Sequence, residues 1–335
     1  MSTTPLLEIT GLRVTFSTED GPVPAVKDVS LTLDEGEIVA LCGESGSGKS
    51  VTAMSVPQLL PPDSTDLAGS VRLAGTELVG RSERDLRAVR GRDVSMVFQE
   101  PMTSLNPSFT VGFQITEMLR RHERMSRSAA RTRAAELLDL VGIPDALRRL
   151  GEYPHQLSGG MRQRVMIAIA VACEPKVLIA DEPTTALDVT IQAGVLDVFR
   201  ELRDRLGTSI LLITHDLGVV ADIADRVAVM YAGRIVEQAH VGELFARPLH
   251  PYTVGLLGAL PGAATDDADG RRRLHEIPGM VPRPSDDRDA CPFQPRCPQA
   301  QDDCTARRPL LDELRPEHRA ACFHPNGSIV EVADA

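Results

Sequence analysis

Gly43-Glu44-Ser45-Gly46-Ser47-Gly48-Lys49-Ser50 fits the pattern G-x-x-x-x-G-K-[ST], follows the apolar run Ile38 to Leu41, and leads into a helix-compatible stretch. A strand, a glycine-rich loop and a helix in that order form a phosphate-binding loop. The glycines let backbone N–H groups close around phosphate oxygens, and the helix N-terminus adds positive potential. Lys49 reaches the outer phosphates and the Ser50 hydroxyl suits Mg2+. Gly43, Ser45, Gly46, Gly48 and Val51 complete the expected nucleotide contacts. Four fixed positions match by chance in roughly one chain of this length in a hundred. Lys49 is also one of only three lysines, with Lys27 and Lys176, among 36 basic residues. A compact ammonium, unlike a planar guanidinium, fits inside such a loop.

Two further segments belong with this loop. Val177 to Ala180 is a short apolar strand ending in Asp181 and Glu182. Beside a phosphate loop, Asp181 is the expected Mg2+ partner and Glu182 the group that orients and polarises an attacking water, which implies hydrolysis as well as binding. Leu157-Ser158-Gly159-Gly160-Met161 precedes an apolar, helix-like run from Val165 to Cys173. Ser158 reads as an N-cap, and the glycines leave the first amides of that helix uncovered, giving a second helix N-terminus suited to phosphate.

Leu157 to Met161 resembles the signature motif of ATP-binding cassette (ABC) proteins, and other positions match that family in order. Gln99, after Met96 to Phe98, resembles the glutamine that senses Mg2+ and the terminal phosphate. Ala186-Leu187-Asp188 resembles the D-loop, and His215, after Ile210 to Ile213, resembles the switch histidine. Phe16 occupies the place of the adenine-stacking aromatic, although its alternation with Leu12 and Val14 suits a core strand position equally well. The resemblance implies that two cassettes pack head to tail, with Ser158 and Gly160 of one covering the terminal phosphate held by the other. Glu182, His215 and Gln99 are then the catalytic set, and Ser50, Gln99 and Asp181 the Mg2+ set.

Composition narrows the remaining classes. A net charge of -11, a pI near 5.3, no Trp and 3% aromatics leave neither a basic footprint nor a stacking platform for nucleic acid. No run approaches the 18 or so apolar residues of a membrane span, and Met1 to Pro5 is unlike a secretory leader, so the chain is read as soluble and cytoplasmic. The expected fold class is α/β. A parallel core of Val177 to Ala180, Ile210 to Ile213 and Val227 to Tyr231 joins an antiparallel layer from Leu6 to Leu33, with turns at Gly11 and Asp20-Gly21. A helical subdomain covers about 101–165; within it a helix begins at Ser128, carries Ala134, Leu137, Leu138 and Val141 on one face, and ends at Gly142 and Pro144. The cassette is assigned to 1–260 and a cysteine-rich extension to 261–335.

Pro261 to Asp289 is rich in Pro, Gly, Asp and Arg and reads as a mobile or irregular connector. Beyond it, Cys291, Cys297, Cys304 and Cys322 lie within 32 residues, whereas Cys42 and Cys173 sit in apolar surroundings as inert thiols. Four clustered thiols in a reducing compartment point to a metal before disulfides. The spacing C-x5-C-x6-C-x17-C matches neither paired zinc nor common ferredoxin patterns, so zinc, an iron-sulfur cluster and no metal all stay open.

Ile277-Pro278-Gly279-Met-Val-Pro282, the Cys291 to Pro298 run, Cys304 and Ala321-Cys322 resemble the C-terminal extension of ATPase subunits from oligopeptide and dipeptide importers. Gln99-Glu-Pro101-Met-Thr-Ser-Leu105-Asn106-Pro107 is similar to the same subfamily, so the resemblance covers nearly the whole chain. Ala290 departs from it, standing where glycine is usual. The resemblance implies a [4Fe-4S] cluster on the four cysteines and ATP hydrolysis coupled to peptide import. Its implied partners are a second, related cassette in a heterodimer, two membrane permeases and an extracellular solute-binding protein, at the cytoplasmic face of the inner membrane. A nickel or other solute importer shares this architecture. A soluble ABC-type ATPase of iron-sulfur assembly would join cysteines and ATP without permease contacts.

Overall fold

The computed structural model describes residues 4–100, 104–185, 187–260, 265–266, 272–273, 277–282 and 289–326. Residues 101–103, Ala186 of the expected D-loop and most of the expected connector lie outside the described residues.

The first sheet is antiparallel, in the order β2-β1-β4-β5, built from β1 (Leu7–Thr18), β2 (Gly21–Leu33), β4 (Thr65–Leu73) and β5 (Thr76–Glu77). The second has eight strands. Its parallel part comprises β9 (Arg226–Tyr231), β3 (Ile38–Cys42), β8 (Ser209–Thr214), β7 (Val177–Asp181) and β6 (Val94–Val97), side by side in that order. Its antiparallel edge adds β10 (Arg234–His240), β14 (His318–Ala320) and β13 (Asp312–Arg315). A short pair, β11 (Thr265–Asp266) and β12 (Arg272–Arg273), stands apart.

Strands β3, β7 and β8 are buried along their whole length, as parallel strands covered on both faces must be. Their side chains alternate between two cores. Leu178, Ala180, Ile210 and Leu212 face the helices, while Val177, Ile179, Leu211 and Ile213 face the antiparallel sheet. The helical side is made by α3 (Val111–His122), α4 (Arg127–Leu140), α5 (Ala146–Arg149), α6 (Gly159–Ala170) and α7 (Val189–Leu206). The other helices are α1 (Lys49–Ser55), α2 (Glu83–Val89), α8 (Leu217–Ile223), α9 (Val241–Ala246), α10 (Pro251–Gly258) and α11 (Asp302–Ala306).

Two local expectations change. Gly11 does not turn the chain: at φ 56° it forms a bulge inside β1, where the register with β2 slips between Ile9 and Leu12. Its freed amide donates to Ser30 Oγ at 3.0 Å, so the strand continues through it. Helix α4 begins at Arg127, one residue before Ser128, because the Ser126 side chain accepts from the Ala129 amide at 3.2 Å and so is the cap. The expected apolar face of α4 and the following Val141 are buried, as are the thiols of Cys42 and Cys173, which burial pushes up to about 12 and about 11.

The cysteine-rich segment docks on the main sheet. Strand β14 pairs with β10, and the Ala321 amide donates to the Val236 carbonyl at 2.8 Å. Beneath this junction the fully buried Glu237 carboxylate accepts from the Leu249 and His250 amides at 2.6 and 2.9 Å and meets His318 Nε2 at 2.7 Å. Phe293, Cys291 and Cys304 share a third core with Tyr231 and Tyr252. Removing the Glu237 carboxylate strands two amides and a buried imidazole. Glu237→Ala is expected to lower unfolding free energy by about 3–5 kcal/mol and to open residues beyond 289 to protease first. Denaturant titration with limited proteolysis checks this; a loss under about 1 kcal/mol would contradict the anchoring role.

Candidate active site

Adjacent strands in the order β3-β8-β7-β6 carry their C-terminal ends to one edge of the sheet, the usual place for a site in a parallel α/β sheet. The glycine-rich loop 43–50, the expected phosphate-binding loop, follows β3, His215 follows β8, Asp181 ends β7 with Glu182 next, and Gln99 follows β6. With neighbouring strands about 4.8 Å apart, four distant sequence segments meet within roughly 15 Å. They line a cleft of about 770 Å3 with Ala25, Ser45, Leu217 and Leu256.

The loop lies tightly against its support. A Cβ at Gly43 would sit 2.1 Å from the Met230 carbonyl oxygen, so only glycine allows the loop to leave β3 across β9. The Gly233 amide donates to the Ser47 carbonyl at 2.9 Å, which fixes the back of the loop on the β9–β10 turn. Lys49, almost fully buried, donates from Nζ to the carbonyls of Gly43 and Glu44 at 2.8 and 3.0 Å. Burial lowers its pKa, against the opposing pull of Glu182, Cys42, Asp181 and Glu44. Ser50 Oγ donates to Asp181 Oδ1 at 3.0 Å. Burial raises the Asp181 carboxyl above its ordinary value and the charge of Glu182 adds to this, while Ser50 and Lys49 hold it down.

Glu182 is the hub. Its backbone sits at φ 47°, with its amide donating to the Ile213 carbonyl at 2.9 Å. Gln99 Nε2 donates to Glu182 Oε2 at 2.9 Å, Thr185 Oγ1 donates to the same oxygen at 3.0 Å, and His215 Nδ1 lies 3.2 Å from Oε1. A carboxylate held this way, three-quarters or more buried and open to the cleft, can orient water and accept its proton. Thr185 was not among the expected residues. Its i+3 spacing from Glu182 in Glu182-Pro-Thr-Thr185 is a signal a tight turn could have supplied.

Other expected residues stand elsewhere. Ser158 caps α6, accepting from the Met161 amide at 3.3 Å, and Gly160 is buried against Ile191 of α7. Asp188 caps α7 through the Ile191 amide at 3.0 Å. Thus the expected signature residues Ser158 and Gly160 and the expected D-loop residue Asp188 meet at Ile191 or cap helices, and none of the three lines the cleft of its own chain. Phe16 is half-buried on β1 against the core of the antiparallel layer, and it too is absent from the cleft lining. The four clustered cysteines are free thiols that line one separate cavity with His324. Burial pushes Cys291 up to about 11 and Cys322 up to about 12. Among the described residues, Asp303, Cys304 and His324 place three ligand atoms within 4.8 Å of one another.

Residues 26–185 match the family model described as ABC transporter, and residues 236–304 match that described as Oligopeptide/dipeptide transporter, C-terminal region. The chain is 53% identical over 320 residues to the oligopeptide transport ATP-binding protein OppD of Mycobacterium tuberculosis, covering 95% of this chain and 52% of that one. It therefore spans about half the length of the mycobacterial relatives it matches. Over 331 residues it is 52% identical to a protein of Brucella melitensis named as a peptide import ATP-binding protein, covering 96% of this chain and 98% of that one. The solved dimeric cassette MJ0796 in a post-hydrolysis state bound to ADP and Pi superposes with a TM-score of 0.64 at 28% identity, covering 70% of this chain and 98% of that one. The cbiO1 structure from Clostridium perfringens, part of an ABC transporter complex, gives a TM-score of 0.61 at 28% identity, with coverage of 73% and 92%. The chain belongs to the ABC transporter family of ATP-binding proteins, in its oligopeptide/dipeptide branch.

Proposed function

We propose that this chain is the subunit that binds and hydrolyses ATP to drive peptide import through a membrane ABC transporter. The observation that carries the hydrolytic part is the Glu182 carboxylate, held by Gln99, Thr185 and His215 at the edge of the phosphate-loop cleft. Lys49 and the loop amides bind the phosphates, Glu182 orients the attacking water and takes its proton, and His215 keeps that carboxylate turned toward the cleft. The paired oxygens of Ser50 and Asp181, with Gln99 nearby, are hard donors that suit Mg2+. Bound there, the cation would neutralise phosphate charge. Phe16 on β1 is assigned to adenine stacking.

Ser158 and Gly160 are not among the residues that line their own cleft, which supports a composite site completed by a second cassette, with Asp188 at the joint. A related but distinct chain is the favoured partner. A permease is assigned to an apolar groove of about 510 Å3 between the sheet and the helices, lined by Leu59, by Met96 and Phe98 before Gln99, and by Leu105 after it. Docking there would couple Gln99 to the membrane gate. Among the described residues no helix is long and apolar enough to cross a membrane, in keeping with a peripheral subunit at the cytoplasmic face of the inner membrane. Peptide as cargo is supported by the names of the relatives, and an extracellular solute-binding protein that presents it belongs to the same proposal.

The four thiols fit a metal-thiolate group: none is in a disulfide and all four line one small cavity. A single tetrahedral zinc needs sulfurs about 3.8 Å apart. The four sulfurs here form no such group of three within 4.8 Å, which favours the larger [4Fe-4S] cluster on Cys291, Cys297, Cys304 and Cys322. The cluster would supply cross-links between segments, since ATP-driven transport needs no electron.

Glu182→Gln is expected to bind ATP, hold the closed cassette dimer, and hydrolyse ATP roughly 100-fold more slowly or worse. Gel filtration with ATP and a phosphate-release assay check this, and a wild-type rate would remove Glu182 from its role. Anaerobically purified protein is expected to be brown and iron-loaded, with the visible absorption lost in Cys297→Ser. A colourless, iron-free chain with full activity would reject the cluster.

A further inference from the structure

The cysteine-rich segment reaches into the phosphate loop through one side chain. Arg296, between Cys291 and Cys297, is buried, and its guanidinium donates to both oxygens of Glu44, the second residue of the loop: Nη1 to Oε2 at 2.8 Å and Nη2 to Oε1 at 3.1 Å. Its remaining donors go to the carbonyls of Pro278 and Ile277 at 2.9 and 3.3 Å and to the Tyr231 hydroxyl at 3.3 Å. All five N–H groups of the fork therefore have acceptors. At the other end of the same residue, the Glu44 amide donates to the Tyr252 hydroxyl at 2.9 Å. Tyr231, Tyr252 and Phe293 interlock beneath, with ring centroids 4.6 to 5.4 Å apart.

Glu44 lines the cleft, so it places a carboxylate in a loop whose task is to bind an anion. Left unpaired, that charge would oppose phosphate at a partly buried site where screening is weak. We propose that Arg296 is a positioning residue of the phosphate loop: it neutralises the Glu44 carboxylate and holds it aside, so that the C-terminal segment sets the affinity of the cleft for polyphosphate. The inference rests on the reading of the cleft as an ATP site. Cutting the pair from the arginine side leaves the harmful carboxylate; cutting it from both sides removes the charge as well. A residue that merely props up the fold predicts no such recovery, because losing both partners would then be no better than losing one.

The test is equilibrium binding of a fluorescent ATP analogue to the chain of residues 1–335, purified as the wild type, Arg296→Gln, Glu44→Gln and the double variant, with thermal melting as a control for folding. Arg296→Gln is expected to bind about tenfold more weakly, with a smaller loss for the AMP analogue, which carries less charge. Adding Glu44→Gln is expected to return affinity to within about threefold of wild type. If Arg296→Gln fails to fold, Arg296→Lys keeps the charge but loses the fork, and its weakened binding must likewise be relieved by Glu44→Gln. Affinity within twofold of wild type in the folded arginine variants, or no recovery in the double variant, overturns the proposal alone. A wild-type chain that binds no nucleotide overturns the ATP-site reading and this inference together.

Discussion

The parallel register of β3, β8, β7 and β6 is the constraint on which the site depends. Each strand contributes one or two groups at or just beyond its C-terminal end, and groups from different strands are far apart in sequence. Adjacent strand ends bring a buried ammonium, two carboxylates, an amide and an imidazole into one small volume. Such a concentration of charge is costly to bury unless each member is held and partnered. The helix-facing and sheet-facing cores on either side of the parallel strands supply the rigidity, and the hydrogen bonds around Glu182 and Asp181 supply the partners. The apolar cores thus support polar positions that would not hold on an isolated loop.

A second layer of support comes from outside the nucleotide core. The antiparallel edge of the main sheet recruits β14 and β13 from the cysteine-rich segment, and the buried Glu237 ties that junction to the start of α10. From there Tyr252, Phe293 and Arg296 form a short path to Glu44. The cysteines lie at the far end of this path. Their cavity is separate from the phosphate-loop cleft, yet Cys291 and Cys297 flank the arginine that contacts the loop. A group binding four thiols there would fix the arginine's backbone, which gives a structural use to chemistry that transport does not otherwise require.

Much of this was legible in the sequence, and the reason is local. The glycine-rich loop, strand-terminal carboxylates and the capped Ser158 helix are short motifs whose geometry is set within a few residues, so their order sufficed for the fold and for gathering the loop, Gln99, Glu182 and His215 around one cleft. Where a residue type serves two purposes, reading failed or stayed open. Gly11 permits a turn or a bulge, and only pairing with β2 and β4 selects the bulge. Phe16 fits a strand face and an adenine platform alike, and in the fold it leans on the core. Ser126 and Ser128 are equivalent as caps by type, and the first wins because the chain turns there. The Arg296–Glu44 pair could not be read at all: 252 positions separate its members, and neither lies in a pattern that names the other.

The account rests on this chain being the ATP-hydrolysing half of a membrane-bound importer. The most direct measurement is mass spectrometry of whatever co-purifies with the tagged chain from its native membranes in mild detergent with ATP. Two permeases, a second and distinct cassette, and a peptide-binding protein are the result the account predicts. A chain recovered without membrane partners, or bound to cluster-assembly proteins, would contradict it.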